Sequence, residues 1–157
     1  MVLRPAIRAD VPALRELLAD LASVLGADDD FHATELDLDR FGFSDTPHFR
    51  AVLAEDLGKP VGLVTYFWAF STWRGRPGVY VQDLHVVGSH RGSGVGHALV
   101  VAAARAGRAA GCTHLRLSVD GTNETALAFY RRIGLTPRAD ETICQISDRD
   151  FDRLAAG

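Results

Sequence analysis

At 157 residues and 17.0 kDa the chain has material for one substantial core and little room for a second, so a single domain over 1–157 is expected. Its 47% hydrophobic and 24% charged content excludes extensive disorder, and a net charge of -3 gives no general attraction to nucleic acid or to an anionic membrane. No apolar run approaches the roughly 20 residues of a bilayer span, and the opening MVLRPAIRADV lacks the apolar stretch of a signal peptide, which points to a cytoplasmic protein.

Residues 3–4 read as a short first strand. Asp10 stands where an N-cap would, ahead of a helix that places Val11, Leu14, Leu17, Leu18, Leu21 and Leu25 on one face before Gly26 stops it. The acidic run Asp28, Asp29, Asp30 reads as a loop, and a brief helix is expected over 35–41, broken by Gly42. Residues 49–55 and 61–70 have strand character and flank Leu57-Gly58-Lys59-Pro60, a turn that makes them an antiparallel hairpin. After a Gly/Pro/Arg loop at 73–78, a further strand covers 79–87. A helix over 94–110, rich in Ala, Val and Leu, stops at Gly111 and leads into a strand at 115–119, completing a βαβ unit. Residues 120–123 form a turn, 125–133 a short helix stopped by Gly134, and 143–146 a last strand before a frayed terminal helix. Cys112 and Cys144 stand apart from each other and from any Cys/His cluster, and read as buried structural thiols. No histidine pair at i, i+4 brackets a glutamate, so no metal site is expected.

The stretch QDLHVVGSHRGSGVGHALVV, 82–101, carries the strongest chemical signal. Gly92, Gly94 and Gly96 strip the loop of the side chains that would hold a ligand off the main chain, and the N–H groups opening the helix near Gly94 suit anionic oxygens. Arg91 adds a fixed cation. A P-loop is excluded because its lysine is absent, the chain having only Lys59. A dinucleotide-binding turn fails at its third glycine, which is His97, and Gly88-Ser89-His90-Arg91 separates the strand from the first glycine.

Arg91-Gly92-Ser93-Gly94-Val95-Gly96 resembles the Arg/Gln-x-x-Gly-x-Gly/Ala signature of the GNAT superfamily of N-acetyltransferases, and the resemblance covers nearly the whole chain. LRPAIRADVPAL is similar to the family's opening strand and helix. Asn123, Ala126-Leu127-Ala128-Phe129-Tyr130 and Gly134 are similar to its late segment. Within the superfamily, Phe41-Gly42-Phe43, Tyr66-Phe67 with Trp73, and Val81-Gln82-Asp83-Leu84 resemble the spermidine/spermine and thialysine acetyltransferases. The resemblance implies a mixed α/β fold, a mostly antiparallel central sheet with flanking helices. It also implies acetyl-CoA as co-substrate, no metal, a small-molecule amine as acceptor, and a homodimer, with the last strand a candidate for exchange between subunits.

Acetyl transfer to an amine needs a neutral nucleophile, a polarised thioester carbonyl and a proton for the departing thiolate. By resemblance, Arg91, Gly92, Ser93, Gly94, Val95, Gly96 and His97 hold the CoA pyrophosphate, while the main chain of Leu84, His85 and Val86 holds the pantetheine arm and thioester oxygen. The His85 side chain reads as a polar group on a half-exposed strand face. Asn123 and Ala126 belong to the cofactor contacts, with a purely local turn as the other reading of Asn123. Tyr130 is the acid for the CoA sulfur, or else an aromatic packed on the sheet. Asp83 is the candidate base or a structural carboxylate; alternation of strand side chains leaves its face open. Gln82 and Leu25 stand where polyamine acetyltransferases carry acids, so both mark the acceptor end, and Trp73 either walls that pocket or packs its own loop. A non-catalytic acyl-CoA-binding module is the alternative from another class.

Overall fold

In a computed structural model describing residues 1–157, the strands β1 (Val2–Pro5), β2 (Arg50–Asp56), β3 (Lys59–Ser71), β4 (Arg76–Val86) and β5 (Leu115–Leu117) form one sheet in chain order. Every pairing is antiparallel except β4 with β5, which is parallel. The chain divides into two compact units, Met1–Ser118 and Val119–Gly157. The first holds the sheet with α1 (Val11–Val24), α2 (Glu35–Gly42) and α3 (Val95–Ala109), and the second holds α4 (Glu124–Arg132) and α5 (Asp148–Ala156).

Strand alternation sorts the first unit's core into two layers. Val52 and Ala54 of β2 join Val95, Leu99 and Ala103 of α3 on one face. Ala51 and Leu53 turn to the other, where they meet Leu14 and Leu17 of α1 and Leu38 of α2. Leu14, Leu53, Leu63 and Leu99 are fully enclosed, each contributing about 1.5–3 kcal/mol through burial. The β2–β3 hairpin closes on Leu57-Gly58 alone, with φ of 50° and 77°. Both central residues are left-handed, the geometry whose twist matches that of the strands.

Four expectations are corrected. Asp10 precedes α1 but does not cap it, because its carboxylate takes two bonds from Arg4, at 2.6 and 2.7 Å, and one from the Ile7 amide. A bidentate charge-assisted pair outcompetes a single helix amide, and Arg4 also binds Glu55, tying β1 to β2 and the start of α1. The Gly/Pro/Arg loop is shorter than expected, because β4 begins at Arg76 opposite Ser71 and lengthens the hairpin. No strand forms at 143–146, where Ile143 and Ile146 are 70% and 47% exposed. Four residues with no ladder partner do not hold a strand, and Cys144 beside them is exposed rather than buried. Cys112 is half-buried against the α3 layer, and burial pushes its thiol pKa up.

Candidate active site

The site is organised by one irregularity in β4. Thr65 pairs with Asp83 and Tyr66 with Val81, so Gln82 is an extra residue, a β-bulge. Ordinary alternation would put Val81 and Asp83 on the same face. The bulge reverses that: Val79 and Val81 belong to the α3 layer, whereas Asp83 opens into a cleft on the α1 side, and Leu84 and Val86 return to the α3 layer.

The same strand loses a neighbour at this point. Pairing with β5 ends at Val81 opposite Leu117, and residues 83–86 pair with β3 alone. The Val87 amide bonds the Val61 carbonyl at 3.0 Å, and the His85 carbonyl faces Gly62, so the main chain of 85 and 87 turns to β3. Leu84 and Val86 therefore face the open edge, as alternation requires. The Val86 carbonyl there accepts from Arg91 Nε at 2.9 Å, which ties the glycine loop to the strand end.

Past Arg91 the loop has the conformation its glycines permit. Gly92 and Gly94 have φ of 76° and 90°, and a Cβ on either would meet nothing within 4 Å, so the main chain is bare to an incoming ligand. The first α3 bond outside the regular ladder runs from the Ala98 amide to the Gly94 carbonyl at 3.0 Å. Val95, Gly96 and His97 are left with amides that have no helical acceptor. Ser93 Oγ donates to the His90 carbonyl at 2.6 Å, and His90 Nε2 lies 3.3 Å from Asp56 Oδ2, bracing the loop against the β2–β3 hairpin. With Arg91 exposed beside these amides, the segment fits a pyrophosphate.

The cleft on the α1 side has a volume of about 490 Å³ and takes Leu18, Leu21 and Leu25 from α1 and its C-terminal end, Phe67 from β3, and Gln82 and Asp83 from β4. Asp83 is half-buried; Thr65 Oγ1 donates to its Oδ2 at 2.5 Å and accepts from its amide at 3.1 Å. Burial raises the Asp83 pKa above the usual carboxylate range, against the opposing pull of the Thr65 bond. Two residues along on the same face, His85 is 3% exposed and its Nε2 lies 2.6 Å from Asp20 Oδ2. His85 is thus a buried partner of α1 and not a polar group on a half-exposed face.

In the second unit, Asn123 has a local role. Its Oδ1 accepts from the Ala126 amide at 3.0 Å, capping α4 and occupying the Ala126 donor as well. Tyr130 sits in the last turn of α4, its ring 5.1 Å from that of Phe129, and burial raises its pKa, which keeps the phenol protonated at neutral pH. Trp73 is fully exposed at the β3–β4 turn and does not line the α1-side cleft, because the hairpin carries it beyond the last strand pair.

Thr65 and Asp20 carry no part in the sequence reading, where Leu18 stands only as a helix-face leucine and Phe67 only within the resemblance, neither as a cleft residue. Thr65 alone left a signal, as a hydroxyl in the apolar run VGLVTYF; the others contribute only through the fold.

Comparison with known proteins agrees with this geometry. The model of the acetyltransferase (GNAT) family matches residues 11–135. A thialysine N-epsilon-acetyltransferase of Bos taurus is 30% identical over 142 residues, covering 85% of this chain and 83% of that protein. A streptothricin acetyltransferase of Streptomyces lavendulae is 34% identical over 128 residues, 82% of this chain and 65% of that one. Among solved structures, an integron cassette protein from the V. cholerae mobile metagenome superposes with a TM-score of 0.83 at 24% identity, over 99% of this chain and 98% of that one. A soil-metagenome aminoglycoside acetyltransferase in complex with sisomicin gives 0.76 at 20% identity, over 94% of each chain, a likeness of fold. With a glycine loop shaped for a pyrophosphate, a strand edge left open beside it and a family model spanning both, this chain belongs to the acetyltransferase (GNAT) family and is an acetyltransferase.

Proposed function

We propose that the protein moves the acetyl group of acetyl-CoA to a primary amine of a small molecule by direct attack. The observation that carries the reading is the double use of β4, which presents Asp83 to the α1-side cleft and, to its open edge, the main chain of Leu84 and the Val86 amide, which no neighbouring strand pairs. The pyrophosphate lies on the amides that follow Arg91, and the pantetheine arm runs along the open edge. An alkyl ammonium is almost wholly protonated at neutral pH, since its pKa is about 10.4. Asp83 accepts that proton, directly or through a water, and the neutral nitrogen attacks the thioester carbon. The carbon–sulfur bond then breaks, the leaving thiolate takes its proton from Tyr130, and the nitrogen, cationic after the attack, gives up its second proton, through water, to restore the phenol.

The acetyltransferase family uses acetyl-CoA as co-substrate, and the family model runs across both units, which supports treating the chain as one working domain. We place the enzyme in the cytoplasm as a homodimer. The acceptors named for its relatives, a lysine analogue and the antibiotic streptothricin, are amines and support an amine here.

A thiol-release assay over alkyl amines, diamines, lysine analogues and aminoglycosides tests the reading. Acetyl-CoA-dependent turnover with at least one amine is expected. Tight CoA binding with no turnover on any of them would instead mark a non-catalytic acyl-CoA-binding module.

A further inference from the structure

The α1-side cleft carries information about the acceptor beyond its being an amine. Its walls are apolar over most of their extent: Leu18, Leu21 and Leu25 run along α1 and its end, and Phe31, Phe49 and Phe67 complete the enclosure. The polar groups that reach it are Thr65, Gln82, Asp83 and Asp30, and no lysine, arginine or histidine lines it. Thr65 is already bonded to Asp83, and Asp30 belongs to an exposed 3-10 turn at Asp28–Asp30. Gln82 carries no charge. The cleft therefore offers one sheltered carboxylate, against an apolar body of about 490 Å³.

Each class of amine meets this arrangement differently. A single ammonium on Asp83 exchanges water for a charge-assisted bond in a partly dry site, and its alkyl or aryl body buries against the leucine and phenylalanine walls. A second ammonium farther along the molecule would lie on the α1 leucines or reach Asp30 in open solvent. The first costs desolvation, and the second gains little because water and salt screen it. A carboxylate finds no cation in the cleft. Arg15, the guanidinium near the mouth, lies 5.7 Å over the Phe31 ring and donates to the Ala33 carbonyl, so it braces the wall.

We infer that the acceptor is a monoamine with an apolar body, an alkyl or aralkyl amine bearing no second cation and no carboxylate. The inference rests on the acetyltransferase reading above and departs from the lysine-analogue chemistry in the relatives' names.

Pentylamine, 1,5-diaminopentane and lysine make a matched series, because the second adds a distal ammonium and the third adds a carboxylate to that. Their kcat/KM values are compared on the intact chain, and their binding to the CoA-loaded protein is measured in parallel by calorimetry. Pentylamine is expected to exceed each of the others by about 10-fold or more, the equivalent of about 1.4 kcal/mol, in both measurements. Equal or better use of the diamine or of lysine overturns the inference, as does failure of pentylamine to bind. Binding in the expected order with no turnover overturns acetyl transfer to these amines and leaves standing only the selectivity of the cleft for a monoamine. As a second arm, Gln82→Glu adds a carboxylate at the cleft and should narrow the gap between pentylamine and the diamine. An unchanged gap there counts against the charge argument.

Discussion

Asp83 ties stability and chemistry to the same carboxyl. Its pKa is raised by burial, so the folded chain holds that proton to a higher pH than the unfolded chain does. Stability from the protonated form is complete below the unfolded value of about 3.9 and is lost as pH rises through the folded one. Asp83→Asn keeps an acceptor for Thr65 while removing the titration. The variant is expected to be more stable than the parent at pH 7, with the difference closing as the pH falls toward 4, as read by urea unfolding across that range. A difference independent of pH would mean that burial does not perturb the carboxyl. The variant should also lose most turnover, since the one β4 carboxylate that lines the cleft is gone and His85 on the same face is already bonded to Asp20. Tyr130 separates from Asp83 by its readout. Tyr130→Phe should lower turnover at least ~100-fold with acetyl-CoA affinity little changed, the pattern of a lost general acid. An unaffected rate removes Tyr130 from the mechanism.

At the scale of elements, the contact of α3 with β4 is set by Gly107. A Cβ there would overlap Val79 Cγ2 and stand 3.3 Å from Cys112 Cβ. Two effects oppose each other in Gly107→Ala: alanine favours the helix by about 0.8–1 kcal/mol, whereas overpacking costs about 1–3 kcal/mol. Val79 is β-branched and 3% exposed, so it cannot turn aside, and overpacking wins. The expected result is a net loss of stability on thermal unfolding, and a gain would show that the helix can shift outward. Local signals of this kind were legible in the sequence. The hairpin at Leu57-Gly58, the helix stops at Gly26, Gly111 and Gly134, and the glycine loop each depend on a few adjacent residues, and the left-handed φ at these positions bears out that logic. The cleft was not legible, because it joins α1 to β3 and β4 across the fold. The bulge at Gln82 explains why the face of Asp83 stayed open: one unpaired residue reverses the alternation, and nothing in VQDLHV marks which residue that is. The last strand failed for a related reason, since residues 143–146 have strand composition but no ladder within the chain.

The whole molecule leaves a run of large apolar side chains uncovered near its C-terminal end, and this bears on the homodimer proposed above. Ile143, Ile146, Phe151 and Leu154 are 70%, 47%, 55% and 68% exposed. Single exposed apolar residues are ordinary, but four along one segment give the proposed homodimer a candidate contact surface. A strand supplied to a second copy would satisfy both the unpaired main chain of 143–146 and the side chains beside it. Light scattering at tens of micromolar is expected to give twice the chain mass of 17.0 kDa, and the unfolding midpoint should rise with concentration. Placing a charge in the exchanged segment, as Ile143→Asp with Ile146→Asp, should release monomers. The first unit is expected to keep its fold in that variant, because its core draws on neither residue. A parent protein that runs as a monomer at that concentration refutes the exchange, and a dimer that survives both charges moves the interface elsewhere.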